Sequence, residues 1–368
     1  MNFVSAIMLV FSVLGTLDRI FGNRLGLGKE FEKGFMLLGT MALSMVGMII
    51  MSPFIADILS PAFDWIYNVL HIDPSIIPAS LFANDTGGAA LAKEIAKDSK
   101  IGMYNAMVVA SMMGCTISFS VPYALGTVDK ENHREMFFGF LCGFVTIPVG
   151  CFVSGLLLGI PVVQVLMDLL PLVIFSAIIV CGLVFAPVAT VKIFSAIGTF
   201  IKTLIAVGLM LGIIEFLTGK KIIASITPIT DAANIALNAA IILSGAFPLM
   251  FIVSKLLSKP IQKLGTALKI NEESAMGFVS SVVINATTFE RMNRMDKKGV
   301  YLNSAFLVSG SFVFGSHLAF TMAFDKDYIL AMMVAKLISG FCALGLAIIM
   351  YSRLCKKESG AEETVAAE

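Results

Sequence analysis

The run Asn84-Asp85-Thr86-Gly87-Gly88 puts an amide, a carboxylate and a hydroxyl beside paired glycines, between two apolar stretches. A carboxylate at membrane depth is costly unless it is paired or hydrated, so such residues tend to be functional. Adjacent glycines let the backbone unwind and come close to a ligand. Unwound peptide carbonyls can also coordinate a cation. The competing reading is a cap, with Asp85 or Thr86 opening a helix from Gly88 to Lys97. The two readings are compatible. A second polar break, Asn285-Ala286-Thr287-Thr288-Phe289-Glu290, offers Asn285, Thr287 and Thr288 as hydrogen-bonding groups for a small polar solute. Glu290, next to Arg291, reads as one half of a surface ion pair.

Other polar residues have both a structural and a functional reading. The segment from Ser111 to Ser120 is dense in small and hydroxylated residues, which suits close helix packing or the lining of a pathway. Asn105 and Asn303 either brace the breaks or touch a solute. Asp168 and Glu215 read as anchors, and Asp231 with Asn234 as a cap. The six cysteines are scattered without a CxxC pair, and His71, His133 and His317 lack ligand spacing, so neither a metal nor a cofactor is expected. There is no nucleotide-binding loop and no nucleophile elbow, which argues against an ATP-driven pump and against an enzyme.

These residues must be positioned by membrane-spanning helices. Of the 368 residues, 58% are hydrophobic and only 14% charged, against about 45–50% and about 25% in soluble domains. With 26 basic and 25 acidic residues, no basic surface exists for nucleic acid. The apolar runs are continuous rather than alternating, which favours helices over a barrel. The expected architecture is an all-α polytopic membrane protein. Plain spans are read in the N-terminal run MNFVSAIMLVFSVLGTLDRIFG, with its Asp18-Arg19 stop, and at Gly34–Leu59, Gly102–Leu125, Met136–Gly159, Val163–Pro187, Ile193–Leu217, Ile235–Leu257, Asn303–Ala323 and Tyr328–Tyr351. That makes about nine spans, or ten to eleven if the interrupted segments 74–100 and 271–291 also cross. Ser60–Leu70, with the single Trp, reads as an interfacial helix.

Arg19, Arg24, Lys29 and Lys33 place the first loop in the cytoplasm and the N-terminus outside. Lys255, Lys259, Lys263, Lys269, Arg353, Lys356 and Lys357 fall on the same side on a nine-span count. Lys93, Lys97 and Lys100 fit that count only if Glu94 and Asp98 offset them.

The two interrupted segments follow a shared plan of apolar stretch, polar break, charged helix, Tyr-containing entry and small-residue span. Aligning Asn105 with Asn303 aligns Ser111 with Ser309 and leaves Asp85 and Asn285 about two residues out of step. On the nine-span count the second unit starts on the opposite side. That is the inverted-repeat signature of secondary transporters, whose sites lie at discontinuous helices near the midplane. The expected organisation is a first repeat over 1–159, a linking span over 160–190, a second repeat over 191–352 and a flexible cytoplasmic tail over 353–368.

The runs DRIFGN, FEKGFMLLGTMALSMVGMIIMSP, LFANDTGGAALAKEIA, ASMMGCTISFSVPYALG and GFVTIPVGC resemble the ethanolamine permease family, the membrane component of bacterial ethanolamine-utilisation operons. The resemblance extends from the N-terminus to about Arg353. The chain departs from the family in its short hydrophilic tail and in Asn84 before the Asp85 motif. The resemblance implies import of ethanolamine across the bacterial cytoplasmic (inner) membrane by a multi-pass protein that contacts lipid. A site for its ammonium would draw its charge from Asp85 and hydrogen bonds from Asn84, Thr86, Asn285, Thr287 and Thr288. Phe82, Phe119 or Phe289 would supply a ring for the cation, and Asn105, Asn303 and Ser111 stand as further candidates. The alternatives are an ion-coupled carrier of another small solute, such as a nucleoside or amino acid, and a non-transporting scaffold. The small-residue surface Gly143–Gly159 would suit a homo-oligomer contact.

Overall fold

The structure, a computed structural model, describes the backbone of residues 3–365. The side chains of 257–259, 261, 262, 264 and 354–368 lie outside the described residues. With them lie Lys259, Lys356 and Lys357 and most of the expected tail.

Every regular element among the described residues is helical. Helix α1 (Phe3–Ile20) is followed by α2 (Leu27–Met41), a π-helical turn and α3 (Gly47–Leu70). The expected interfacial segment continues α3 through Pro61, with Trp65 exposed. Two short helices follow, α4 (Ile76–Leu81) and α5 (Gly88–Ile95). Then α6 (Ser99–Tyr104), two π-helical stretches (Asn105–Gly114 and Thr116–Ser120) and α7 (Val121–Thr127) form one continuous crossing. Long helices α8 (His133–Leu157), α9 (Val162–Phe185), α10 (Pro187–Thr218) and α11 (Ile229–Leu268) come next. A second short pair, α12 (Glu272–Ser281) and α13 (Asn285–Met292), precedes α14 (Lys297–Gly310), α15 (Ser316–Phe324) and α16 (Ile329–Val365).

Eight helical stretches among the described residues are long and apolar enough to cross a membrane. Leu166, Leu170, Val173, Ile174 and Ile178 stand exposed along α9, as a lipid-facing helix requires. The chain is a multi-pass, all-α membrane protein. One of the nine plain spans expected from sequence, Asn303–Ala323, is not continuous. It breaks at 311–315, where Phe312 takes a left-handed φ of 59°. There Gly315 lies so close to the Val283 carbonyl that a Cβ would overlap it. Hydropathy does not register a break built from small and aromatic residues.

The two short helix pairs are tied at their feet by polar side chains. Asp73 accepts from the Ser75 N–H (3.0 Å) and from the Lys97 and Asp98 N–H groups (both 2.9 Å). Asp98 then caps α6 through Lys100 and Ile101. In the second pair, Asn271 caps α12 through the Ser274 N–H (2.9 Å) and donates to the Arg294 carbonyl (2.9 Å). Asp296 accepts from the Asn271 N–H (2.9 Å) and caps α14 through Gly299. The spacing that relates Asn105 to Asn303 also relates Asp73 to Asn271 and Asp98 to Asp296.

The feet lie at opposite ends of the bundle. Lys100 Nζ reaches the Gly159 carbonyl (3.2 Å) at the end where α6 begins. At the other end of the same crossing, the Asp129 N–H donates to Asn293 Oδ1 (2.8 Å), and Asn293 Nδ2 donates to the Thr127 carbonyl (3.0 Å). The α4–α5 hairpin therefore dips in from the Asp73 end and the α12–α13 hairpin from the Asp296 end.

Candidate binding site where three helix breaks meet

Three interruptions converge in the bundle: 82–87 between α4 and α5, 282–284 between α12 and α13, and 311–315 between α14 and α15. The last two bond to each other through backbone. The Phe312 N–H donates to the Ser281 carbonyl (2.9 Å) and the Phe314 N–H to the Val282 carbonyl (2.8 Å). The first break is held by the Ala83 N–H donating to Ser118 Oγ (3.2 Å). Gly87 turns it with φ 104°, and a Cβ there would overlap Met48. Only glycine meets both demands.

Between the breaks lies a cavity of about 220 Å³, against the roughly 10–15 Å³ of such space that one water needs. Its walls carry Asp85 and Thr86 from the first break, Ile284 from the second, and Phe312, Ser316 and His317 from the third. Thr40, Ser44, Cys115, Phe119 and Phe247 complete much of the lining. The Asp85 side chain is 16% exposed, with the Ser316 hydroxyl beside its carboxylate. The ring centroids of Phe119 and Phe312 lie 6.0 Å apart, and those of Phe312 and His317 4.8 Å.

Behind the carboxylate runs a buried polar chain. His317 Nε2 lies 3.8 Å from Asp85 Oδ1, and His317 Nδ1 lies 3.1 Å from Lys336 Nζ. Lys336, 0% exposed, also donates to the Ser111 carbonyl (2.6 Å). An ammonium is donor-only, so with Lys336 charged Nδ1 accepts and a neutral ring carries its hydrogen on Nε2, toward Asp85. The arrangement offers a small cation one carboxylate, flanking hydroxyls and aromatic faces.

Of the residues singled out in the sequence, Asp85, Thr86 and Phe119 line this cavity. Asn84 is buried beside it, and neither its amide oxygen nor its nitrogen has a hydrogen-bond partner. Asn285 turns away and donates to Ser120 Oγ (2.8 Å). Thr287 is exposed and borders a separate pocket with Glu30 and Lys33. Thr288 donates to the Gly277 carbonyl (3.1 Å), and Phe289 is buried against Tyr123 and Phe140.

Asn105 and Asn303 act as braces. Asn105 Nδ2 donates to Ser75 Oγ (3.0 Å) and Asp168 Oδ1 (3.1 Å), and Asn303 Nδ2 to the Ser274 (2.8 Å) and Gly299 (3.0 Å) carbonyls. The Ser111 hydroxyl bonds within its own helix, while the Ser111 carbonyl takes Lys336. Arg291 pairs with Glu273 (2.6 Å) rather than with the adjacent Glu290, whose carboxylate accepts from the Tyr123 hydroxyl (3.4 Å).

Ser316 and Lys336 escaped the sequence reading, and His317 entered it only as a residue without ligand spacing. Lys336 had a signal: it is the one charged residue between Tyr328 and Tyr351, inside an apolar run. Such a lysine faces a partner or a cavity.

The family model described as "Ethanolamine utilisation protein, EutH" matches residues 1–350. The chain belongs to the EutH family. A relative named "Probable ethanolamine permease EutH" in Listeria monocytogenes is 40% identical over 358 residues, covering 97% of this chain and 96% of that protein. One of the same name in Salmonella typhimurium is 33% identical over 382 residues, covering 94% of each. The Bacillus subtilis "Uncharacterized protein YxeR" is 35% identical, covering 94% of this chain and 93% of its own length. No solved structure matches the chain. Family membership and the all-helical membrane fold together point to a transporter rather than an enzyme.

Proposed function

We propose that this protein imports ethanolamine, as its ammonium form, across the bacterial cytoplasmic membrane, with Asp85 holding the ammonium. The observation that carries the reading is the single carboxylate set into an aromatic-walled cavity where three broken helices meet. The names borne by the Listeria and Salmonella relatives point to the solute. Ethanolamine is a primary amine, so like a lysine side chain it is mostly protonated near neutral pH. Its neutral fraction can leak through lipid, and that fraction shrinks tenfold for each unit of acidification. Thr86 and Ser316 are placed to bond the alcohol, and Phe119 and Phe312 to face the cation.

Orientation follows from the basic residues. Arg19, Arg24, Lys130, Arg134, Arg291, Arg294, Lys297 and Lys298 gather toward the Asp296 end, which we take as cytoplasmic. The hairpins entering from opposite ends support two inverted repeats, with the 160–190 segment linking them. The test is uptake of labelled ethanolamine by proteoliposomes. Asp85→Asn is expected to weaken it about 10–100-fold, the effect of losing a charged contact of about 1.5–3 kcal/mol, with the amount of folded protein unchanged. Undiminished uptake by that variant would remove Asp85 from the site.

A further inference from the structure

The chain from Ser111 through Lys336 and His317 to Asp85 is electrically balanced while the cavity holds no solute. One ammonium and one carboxylate, bridged by a neutral imidazole, leave this part of the core without net charge. A solute ammonium on Asp85 upsets that balance, because two cations then share one carboxylate in a medium of low dielectric. Like charges in such a place disfavour each other strongly, and a buried charge without its partner is costly. The titratable groups that act on Lys336 from the surrounding elements are Asp85, His317 and the thiols of Cys115 and Cys151. They include no second carboxylate to take over its charge.

We propose that an organic ammonium entering the cavity displaces a proton from Lys336, so that the site exchanges one proton for one alkylammonium. The proposal rests on the reading of Asp85 as the ammonium site. The Lys336–His317 hydrogen bond and the 3.8 Å approach of His317 Nε2 to Asp85 lay out the path. Lys336 Nζ gives its proton to Nδ1 of His317, and the Nε2 hydrogen of the same ring leaves on the Asp85 side, into the cavity and on to water. Lys336 ends as a neutral amine that still donates to the Ser111 carbonyl. His317 ends neutral in its other tautomer, and the solute ammonium holds Asp85. No other bond forms or breaks, and the charge within the site is the same before and after. Departure of the solute runs the steps backward. Inward transport of each ammonium is then matched by outward movement of a proton, and the cycle carries no net charge.

Calorimetric titration of the full-length protein in lipid nanodiscs with ethanolamine tests this, near neutral pH, in two buffers of different ionisation enthalpy. About one proton released per ethanolamine bound is expected for the wild type, and none for Lys336→Met. Binding to the wild type without proton release overturns the exchange. So does wild-type release from Lys336→Met, because the proton would then come from the solute. Lys336→Arg keeps a cation that cannot give up its proton and is expected to weaken binding at least about tenfold; unchanged affinity there also overturns the proposal. A wild type that binds no ethanolamine at all removes the cavity reading itself, and the exchange with it.

Discussion

At its foot the α4–α5 hairpin is tied by Asp73 and Asp98, and the α12–α13 hairpin is tied by Asn271 and Asp296 in the corresponding places. At their tips the two diverge. The first turns at Gly87 and presents the Asp85 carboxylate to the cavity. The second turns at Ile284, offers the cavity only an apolar wall, and spends the Asn285 amide on Ser120. The difference separates framing from chemistry. The polar ties that hold a re-entrant hairpin occur at both ends of the bundle, whereas the charge appears once. One carboxylate suffices for one small cation, and a second at the same depth would add desolvation cost without a partner.

Four substitutions sharpen that contrast, each read as thermal stability of detergent-purified protein. The largest effect is expected at the first tip. Gly87→Ala combines a strained φ with overlap against Met48 and should cost about 3 kcal/mol. A loss below about 1 kcal/mol would mean that this tip is as tolerant as the second. The feet come next. Asp73→Asn weakens charge-assisted bonds to three backbone N–H groups and should cost about 2 kcal/mol, against about 1 kcal/mol for Asn271→Ala, whose bonds are neutral. The reverse order would break the idea that the Asp73 end is the more firmly pinned. Thr287→Ala, on the exposed face of the second hairpin, should stay within about 0.5 kcal/mol.

Composition and unbroken apolar runs make the spans legible, and the residue order alone displays the charged glycine-rich break at Asp85 and the matching placement of Asn105 and Asn303 after their breaks. What it hides is direction and depth. Asn285, Thr287 and Thr288 have suitable groups, but the turn of α13 sends them to Ser120, the surface and the Gly277 carbonyl. A linear sequence does not reveal which way a short helix rolls. The third break is invisible there because 311–315 contains no proline and no charge; it is fixed by tertiary bonds to 281 and 282. With it go Ser316 and the place of His317, which reach the cavity only because the chain unwinds just before them.

The backbone bonds between Ser281–Val282 and Phe312–Phe314 carry a mechanical consequence. Two unwound segments tied in this way cannot shear past one another without giving up both backbone bonds. The second hairpin and the α14–α15 joint must therefore travel as one lever. The first break is held separately, by the Ala83 N–H on Ser118 Oγ and by the Asp85 carboxylate beside Ser316 and His317, so the first hairpin would move against that lever through side-chain contacts rather than backbone ones.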